Sequence, residues 1–210
     1  MSGLFITLEG IEGSGKSTQL AYVVEHLKKK NKDVVCTREP GGTMVGEKIR
    51  NILLDKNLPS MNIETELMLM CAARVEHVKS VIEPALNQGK YVVCDRFFDA
   101  TYAYQGFGRG INIDRIDELR EFSIGNLQPD MTLLLDVTLD VSVSRVDARG
   151  ERDRFENEKL AFYEKIRSGY LEMAKKQPAR VKIIDATKSI SDVQSSIKQY
   201  IDNLIEKASE

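Results

Sequence analysis

The sequence predicts an α/β fold, a five-stranded parallel sheet flanked by helices on both faces. Three observations predict it. Short apolar runs rich in branched residues alternate with longer stretches of helical period. A glycine-rich loop sits between the first run and the first helical stretch. The chain has 210 residues, with 42% hydrophobic and 30% charged content, enough to bury one good core. No repeat, low-complexity segment or linker rich in Pro, Gly or Ser divides it, so a single domain over 1–210 is expected.

Five runs read as strands, at 4–9, 33–37, 91–95, 132–136 and 181–185. Each is nearly all apolar, as strands buried on both faces should be. A helix is expected over 16–30, with Leu20, Val23, Val24 and Leu27 facing inward and Lys28 to Lys30 suited to its negative C-terminal end. The longest helix is expected over 63–86, with Leu67, Met70, Cys71, Val75, Val78 and Ile82 on its apolar stripe. Arg74 falls on that same side.

Composition excludes several classes. A formal net charge of −2, with no block of basic residues carrying interleaved aromatics, gives no general attraction to nucleic acid. No apolar window approaches membrane-spanning length, and the N-terminus carries no charged leader and cleavage site. Cys36, Cys71 and Cys94 are odd in number and scattered, and read as buried thiols in a reducing compartment. His26 and His77 read as solvated. A soluble cytoplasmic protein is expected.

The strongest chemical signal is Gly10-Ile11-Glu12-Gly13-Ser14-Gly15-Lys16-Ser17, followed by Thr18. It is a complete P-loop, placed after a predicted strand and opening a predicted helix, which assigns the sheet to the P-loop NTPase fold. Glycines let backbone N–H groups turn inward around a polyphosphate, Lys16 neutralises its β and γ phosphates, and the Ser17 hydroxyl ligates Mg²⁺. ATP or GTP binding follows. A switch GTPase would want Asn-Lys-x-Asp late in the chain, whereas Asn31-Lys32-Asp33 is early and wrongly spaced. A motor ATPase usually needs more chain for its coupling elements.

Arginines point instead to a kinase of anionic acceptors. Arg38 follows the second strand and Arg96 the third, both just past the carboxyl ends where ligands bind in an open parallel sheet. Two guanidinium forks can converge there on a second phosphate facing the P-loop.

At this point the chain resembles the thymidylate kinases of the bacterial type over essentially its whole length. The resemblance rests on GIEGSGKST, REPGGT, AARVEHV, CDRFFDATYAYQG and RGERDRFE, in that order. It implies phosphorylation of thymidine monophosphate (dTMP) to the diphosphate (dTDP) with ATP and Mg²⁺, and a homodimer built on the long helices. It also implies residue roles. Asp95 would hold Mg²⁺ through water or orient the acceptor phosphate, and Arg96 and Arg38 would grip that phosphate. Arg74 would reach the thymine O4 edge, Thr101 and Gln105 would hydrogen-bond the base, and Tyr104 would crowd the sugar 2′ position. Glu12 would face the acceptor sugar and its 3′-hydroxyl.

Two departures from the family pattern stand out. Some members carry, beside the Glu12 position, an arginine that reaches the transferred phosphoryl group, and this chain has Gly13. The missing charge would come from a lid at about 145–156, where Arg145, Arg149, Arg152 and Arg154 crowd; the resemblance singles out Arg149 and Arg154 as closing on ATP. Four residues before Arg74 a phenylalanine stacked on thymine is expected, and this chain has Met70. The runner-up reading is another nucleoside monophosphate or deoxynucleoside kinase; a nucleotide-dependent switch or interaction module is the alternative of a different class.

Overall fold

The computed structural model describes residues 3–150 and 153–208. Five parallel strands form one sheet: β1 (Phe5–Glu9), β2 (Val34–Arg38), β3 (Tyr91–Asp95), β4 (Met131–Asp136) and β5 (Val181–Asp185), in the order β2-β3-β1-β4-β5. The crossovers carry α1 (Lys16–Lys29), α2 (Met44–Leu54), α3 (Ile63–His77), α4 (Glu83–Asn87), α5 (Phe98–Thr101), α6 (Ile113–Ile124), α7 (Leu139–Arg149), α8 (Leu160–Lys176) and α9 (Ile190–Lys207). The expected long helix is continuous from α3 into α4 through a π-helical stretch, Val78–Ile82, and a second such stretch, Tyr102–Gly108, extends α5.

Strand alternation distributes the core between the two faces. Ile6, Leu8, Val93, Leu133 and Leu135 pack with Val23 and Leu27 of α1 and with Val193, Ile197 and Ile201 of α9. On the other face Phe5, Val92 and Cys94 meet Leu67 and Cys71 of α3 and Ile116 and Ile124 of α6. That second face also holds a polar seam. The Thr7 and Thr132 hydroxyls lie 2.8 Å apart, and Arg180 clamps Asp99 through Nη1 and Nη2 at 2.7 and 2.8 Å. The buried charge is thereby paired, which removes most of the cost of desolvating it.

Several expectations are corrected. Only the three central strands are buried on both faces; β2 and β5 are sheet edges and alternate between covered and open positions. Cys36 lies on edge strand β2 and is exposed, whereas Cys71 and Cys94 are buried. Neither histidine is solvated. His26 Nε2 stands 2.8 Å from Asp202 Oδ1, tying α1 to α9. His77 is fully buried between Glu39 and Thr37. A sequence window cannot show these partners, which lie 176, 38 and 40 residues away. Glu151 and Arg152 fall outside the described residues. Among the described residues no helix is long and apolar enough to cross a membrane.

Leu133 sits in the middle of β4, fully buried in the core. Leu133→Ala removes buried apolar area and leaves a void, and should cost about 2–5 kcal/mol. Urea titration followed by circular dichroism should show the midpoint falling with little change in slope.

Candidate active site

The strand order places the site. β1 and β3 are neighbours, yet the chain leaves them in opposite directions: β1 leads to β2 beyond β3, and β3 leads to β4 beyond β1. Their carboxyl ends therefore open a crevice, the usual ligand position in such sheets. A cavity of about 500 Å³ occupies it.

One wall is the P-loop. Gly15, in the left-handed region at φ 91°, precedes α1 and gives the helix no side-chain cap, and no acidic residue stands in its first turn. Its free N–H groups and positive dipole end are left for an anion. Lys16, Ser17 and Thr18 line the cavity with Glu12, Gly13 and Gly15; Gly10, Ile11 and Ser14 are not part of the lining. Lys16 Nζ donates to the Gly10 and Ile11 carbonyls at 3.0 and 3.1 Å, folded back along the loop. Burial, and next the Arg96 guanidinium, bring its ammonium down to about 8, against the opposing pull of Asp95, Glu12 and Glu9.

Gly13 has a specific reason to be glycine. Its φ is 70°, and a Cβ there would lie 2.6 Å from the Ser142 carbonyl. The Ser142 hydroxyl donates to the Glu12 carbonyl at 2.7 Å, and Arg145 Nη1 donates to the Gly13 carbonyl at 3.2 Å, so α7 lies directly on the loop. An arginine at this position has no room, and Arg145 and Arg149 of α7 bring guanidinium groups to the cavity instead.

The opposite wall comes from β3 and α3. Asp95 ends β3, and its buried Oδ1 has no hydrogen-bond partner among the described residues. Arg96 follows at φ 67°, outside the usual range for a residue with a side chain. Its Nη2 donates to Glu12 Oε1 at 2.8 Å, and the guanidinium lies 4.8 Å from the Tyr104 ring centroid. The Tyr104 hydroxyl donates to both Glu12 oxygens at 2.7 Å. The carboxylate in the phosphate loop is thus turned away from it, onto a cation and a phenol.

Met70 and Arg74 sit one helical turn apart on α3 and both line the cavity with Thr101, Tyr104 and Gln105. Arg74 Nε donates to Glu39 Oε2 at 2.6 Å, with both side chains 3% exposed, and Nη1 donates to the Thr101 hydroxyl at 2.9 Å. His77 Nδ1 approaches the other Glu39 oxygen at 2.9 Å. A buried arginine on an apolar stripe is therefore an anchored ion pair whose outer edge faces the cavity.

Two expected residues lie elsewhere. Arg38 is half-exposed, ion-paired with Glu47 at 2.9 Å, and outside the cavity lining; Arg50 of α2 lines it instead, donating to the Pro40 carbonyl at 2.9 Å. Arg154 also lies outside the lining, donating from Nε to the Leu53 carbonyl at 2.6 Å and holding Nη2 2.8 Å from Glu66 Oε2. Arg149 lines the cavity and is ion-paired with Glu156. Glu66 is buried and accepts hydrogen bonds from Arg109 and from Gln105 Nε2. Glu9, at the end of β1, was without a role in the sequence. Burial, with Asp99 adding, pushes its carboxyl up to about 7 against the pull of Arg96. Only its position, one residue before the P-loop, could have drawn attention to it.

The family profile described as Thymidylate kinase matches residues 8–197. The chain is 50% identical over 206 residues to a thymidylate kinase of Pseudomonas syringae pv. tomato, covering 98% of each chain. It is 49% identical over 207 residues to one from Pseudomonas entomophila, covering 99% of each. Among solved structures, a thymidylate kinase from Ehrlichia chaffeensis superposes with a TM-score of 0.76 at 36% identity, covering 96% of this chain and 99% of that one. Likeness of this extent in sequence and in fold leads to one conclusion: the chain belongs to the thymidylate kinase family.

Proposed function

We propose that this chain carries out its family's reaction, ATP-dependent phosphorylation of dTMP to dTDP, by alignment and charge neutralisation without a covalent enzyme intermediate. The observation that carries the mechanism is one cavity with two unlike walls: an uncapped helix N-terminus with Lys16 on one side, and Arg96 with the Met70–Arg74 edge of α3 on the other. An acceptor phosphate is already anionic at neutral pH and needs no strong base, so positioning and electrostatics supply the rate.

In this reading residues Gly10 to Thr18 cradle the ATP phosphates, Lys16 neutralising the transferred group. Arg96 grips the acceptor phosphate, with Arg50 from α2 beside it, and Arg38 would join by leaving Glu47. Arg74, Thr101 and Gln105 meet the base edge, Met70 packs on the ring, and Tyr104 with Glu12 borders the sugar. Arg149 and Arg154 act from the lid, exchanging Glu156 and Glu66 for phosphate oxygens. The residues present fit Mg²⁺. The Ser17 hydroxyl and the Asp95 carboxylate, with its unpartnered Oδ1, are hard oxygen donors, and this ion takes few protein ligands beside phosphate and water. When bound it would neutralise charge on the phosphates.

A homodimer is supported by exposed Met44, Met68 and Phe122, which lie on α2, α3 and α6, with α3 packed against the other two. Three free cysteines suit the reducing cytoplasm.

ADP release measured with a panel of nucleosides and monophosphates tests the reaction. Stimulation by dTMP and not by thymidine is expected; thymidine stimulation, or no acceptor dependence, would refute it.

The Lys16 charge gives a pH limb. Its protonated form binds ATP and is lost above about pH 8, so kcat/KM for ATP should hold between about pH 7, where the substrate phosphates are ionised, and pH 8, and fall by about tenfold per unit above it. A profile flat to pH 10 would show instead that the Lys16 ammonium keeps its ordinary value, burial notwithstanding.

Met70→Phe should tighten dTMP binding by up to about 1 kcal/mol, roughly fivefold, since a flat ring stacks better than a thioether, and Met70→Ala should weaken it. Calorimetric titration of all three proteins decides, and equal affinities would make Met70 ordinary helix core.

A further inference from the structure

Glu9 is fully buried at the end of β1, and the mechanism above does not use it. A buried carboxylate is costly unless donors satisfy it. Its two oxygens accept from two groups that converge on Arg96. Oε1 accepts the Phe97 N–H at 2.7 Å, the peptide that follows Arg96. Oε2 accepts the Tyr170 hydroxyl at 2.7 Å, and that same hydroxyl oxygen accepts Arg96 Nη1 at 3.2 Å.

The Arg96 backbone needs such a hold. At φ 67° it occupies a region that residues with a Cβ enter only when their surroundings impose it. Its N–H donates to the Leu8 carbonyl at 3.0 Å, and the Arg96 carbonyl accepts from the Cys94 thiol at 3.0 Å. With Glu9 on the next peptide, the end of β1 grips the turn on both sides of Arg96. The guanidinium is held equally closely, by Glu12 on Nη2, Tyr170 on Nη1 and the Tyr104 ring beneath it.

We propose that Glu9 is a positioning residue for phosphoryl transfer: it fixes Arg96 at both its backbone and, through Tyr170, its guanidinium, presenting that group to the acceptor phosphate. The inference rests on the reading of Arg96 as the acceptor-phosphate residue. Glu9→Gln keeps an acceptor for the Phe97 N–H but turns an N–H₂ group toward Tyr170, so the branch to the guanidinium is broken while the backbone branch remains. Tyr170→Phe removes the same branch from its other end.

The test is a double-mutant cycle with steady-state kinetics on the full chain, varying dTMP and ATP separately. Glu9→Gln and Tyr170→Phe should each raise the KM for dTMP by about tenfold, the scale of one hydrogen bond to a charged group, with the KM for ATP within about twofold of wild type. In an Arg96→Ala background the same changes should have no further effect on kcat/KM for dTMP, because the residue they act through is gone. Equal effects in both backgrounds, or an unchanged dTMP KM in both folded single variants, overturns the positioning role. Arg96→Ala with normal dTMP kinetics would instead overturn the reading of Arg96 itself. If Glu9→Gln fails to fold, Tyr170→Phe gives the same cycle alone.

Discussion

The crevice between the carboxyl ends of β1 and β3 is the constraint on which the rest depends. Because the two strands are hydrogen-bonded neighbours with Leu8 opposite Asp95, the P-loop and the Asp95-Arg96 turn leave the sheet side by side. The Arg96 amide then continues the pairing by donating to the Leu8 carbonyl. The two walls of the cavity are thereby set by backbone hydrogen bonds. Everything finer, including the rotamers of Lys16 and Arg96, is adjusted on that frame.

Charge crowding is the price of such a site. Glu9, Glu12, Lys16, Asp95 and Arg96 all stand near this edge, and the fold manages most of its buried acids by pairing rather than exposure. Glu12 is held by Arg96 and Tyr104, Glu39 by Arg74 and His77, and Glu66 by Arg109, Gln105 and Arg154. Each acid orients a cavity residue. In a low-dielectric setting these pairs add little net stability, but removing one partner leaves an uncompensated charge, so they restrict the side chains to one arrangement.

The segment proposed as a lid shows the same logic with looser ties. Packing of Ser142 against Gly13 excludes a side chain from the loop, and α7 compensates by carrying Arg145 and Arg149 to the cavity. Arg149 and Arg154 are paired with Glu156 and Glu66, so in the proposed reaction their approach to a nucleotide would be an exchange of one anion for another. Such exchanges cost little in desolvation, because the guanidinium stays paired throughout. Glu66 also accepts from Gln105, which joins the expected base contact to the lid arginine through one carboxylate.

Local pattern and motif spacing determined the fold class, the strand segments, the continuous long helix and the P-loop, because each depends on residues close in sequence: apolar runs, a helical stripe, a glycine-rich turn between strand and helix. Met70 and Arg74 sharing the cavity edge was legible for the same reason, being one turn apart on a helix. Only tertiary structure decided which strands are edges, and hence that Cys36 is exposed. It also decided that His77 and His26 are buried on partners 38 and 176 residues away. The same holds for Arg38 and Arg50, since a guanidinium after a strand and one inside a helix look alike in sequence until Glu47 engages the first and Pro40 orients the second. Glu9 was invisible because its partners, Phe97 and Tyr170, lie 88 and 161 residues along the chain. Local interactions write themselves into short windows of sequence, whereas burial, pairing of charges and the choice of which arginine faces the cavity depend on distant segments meeting.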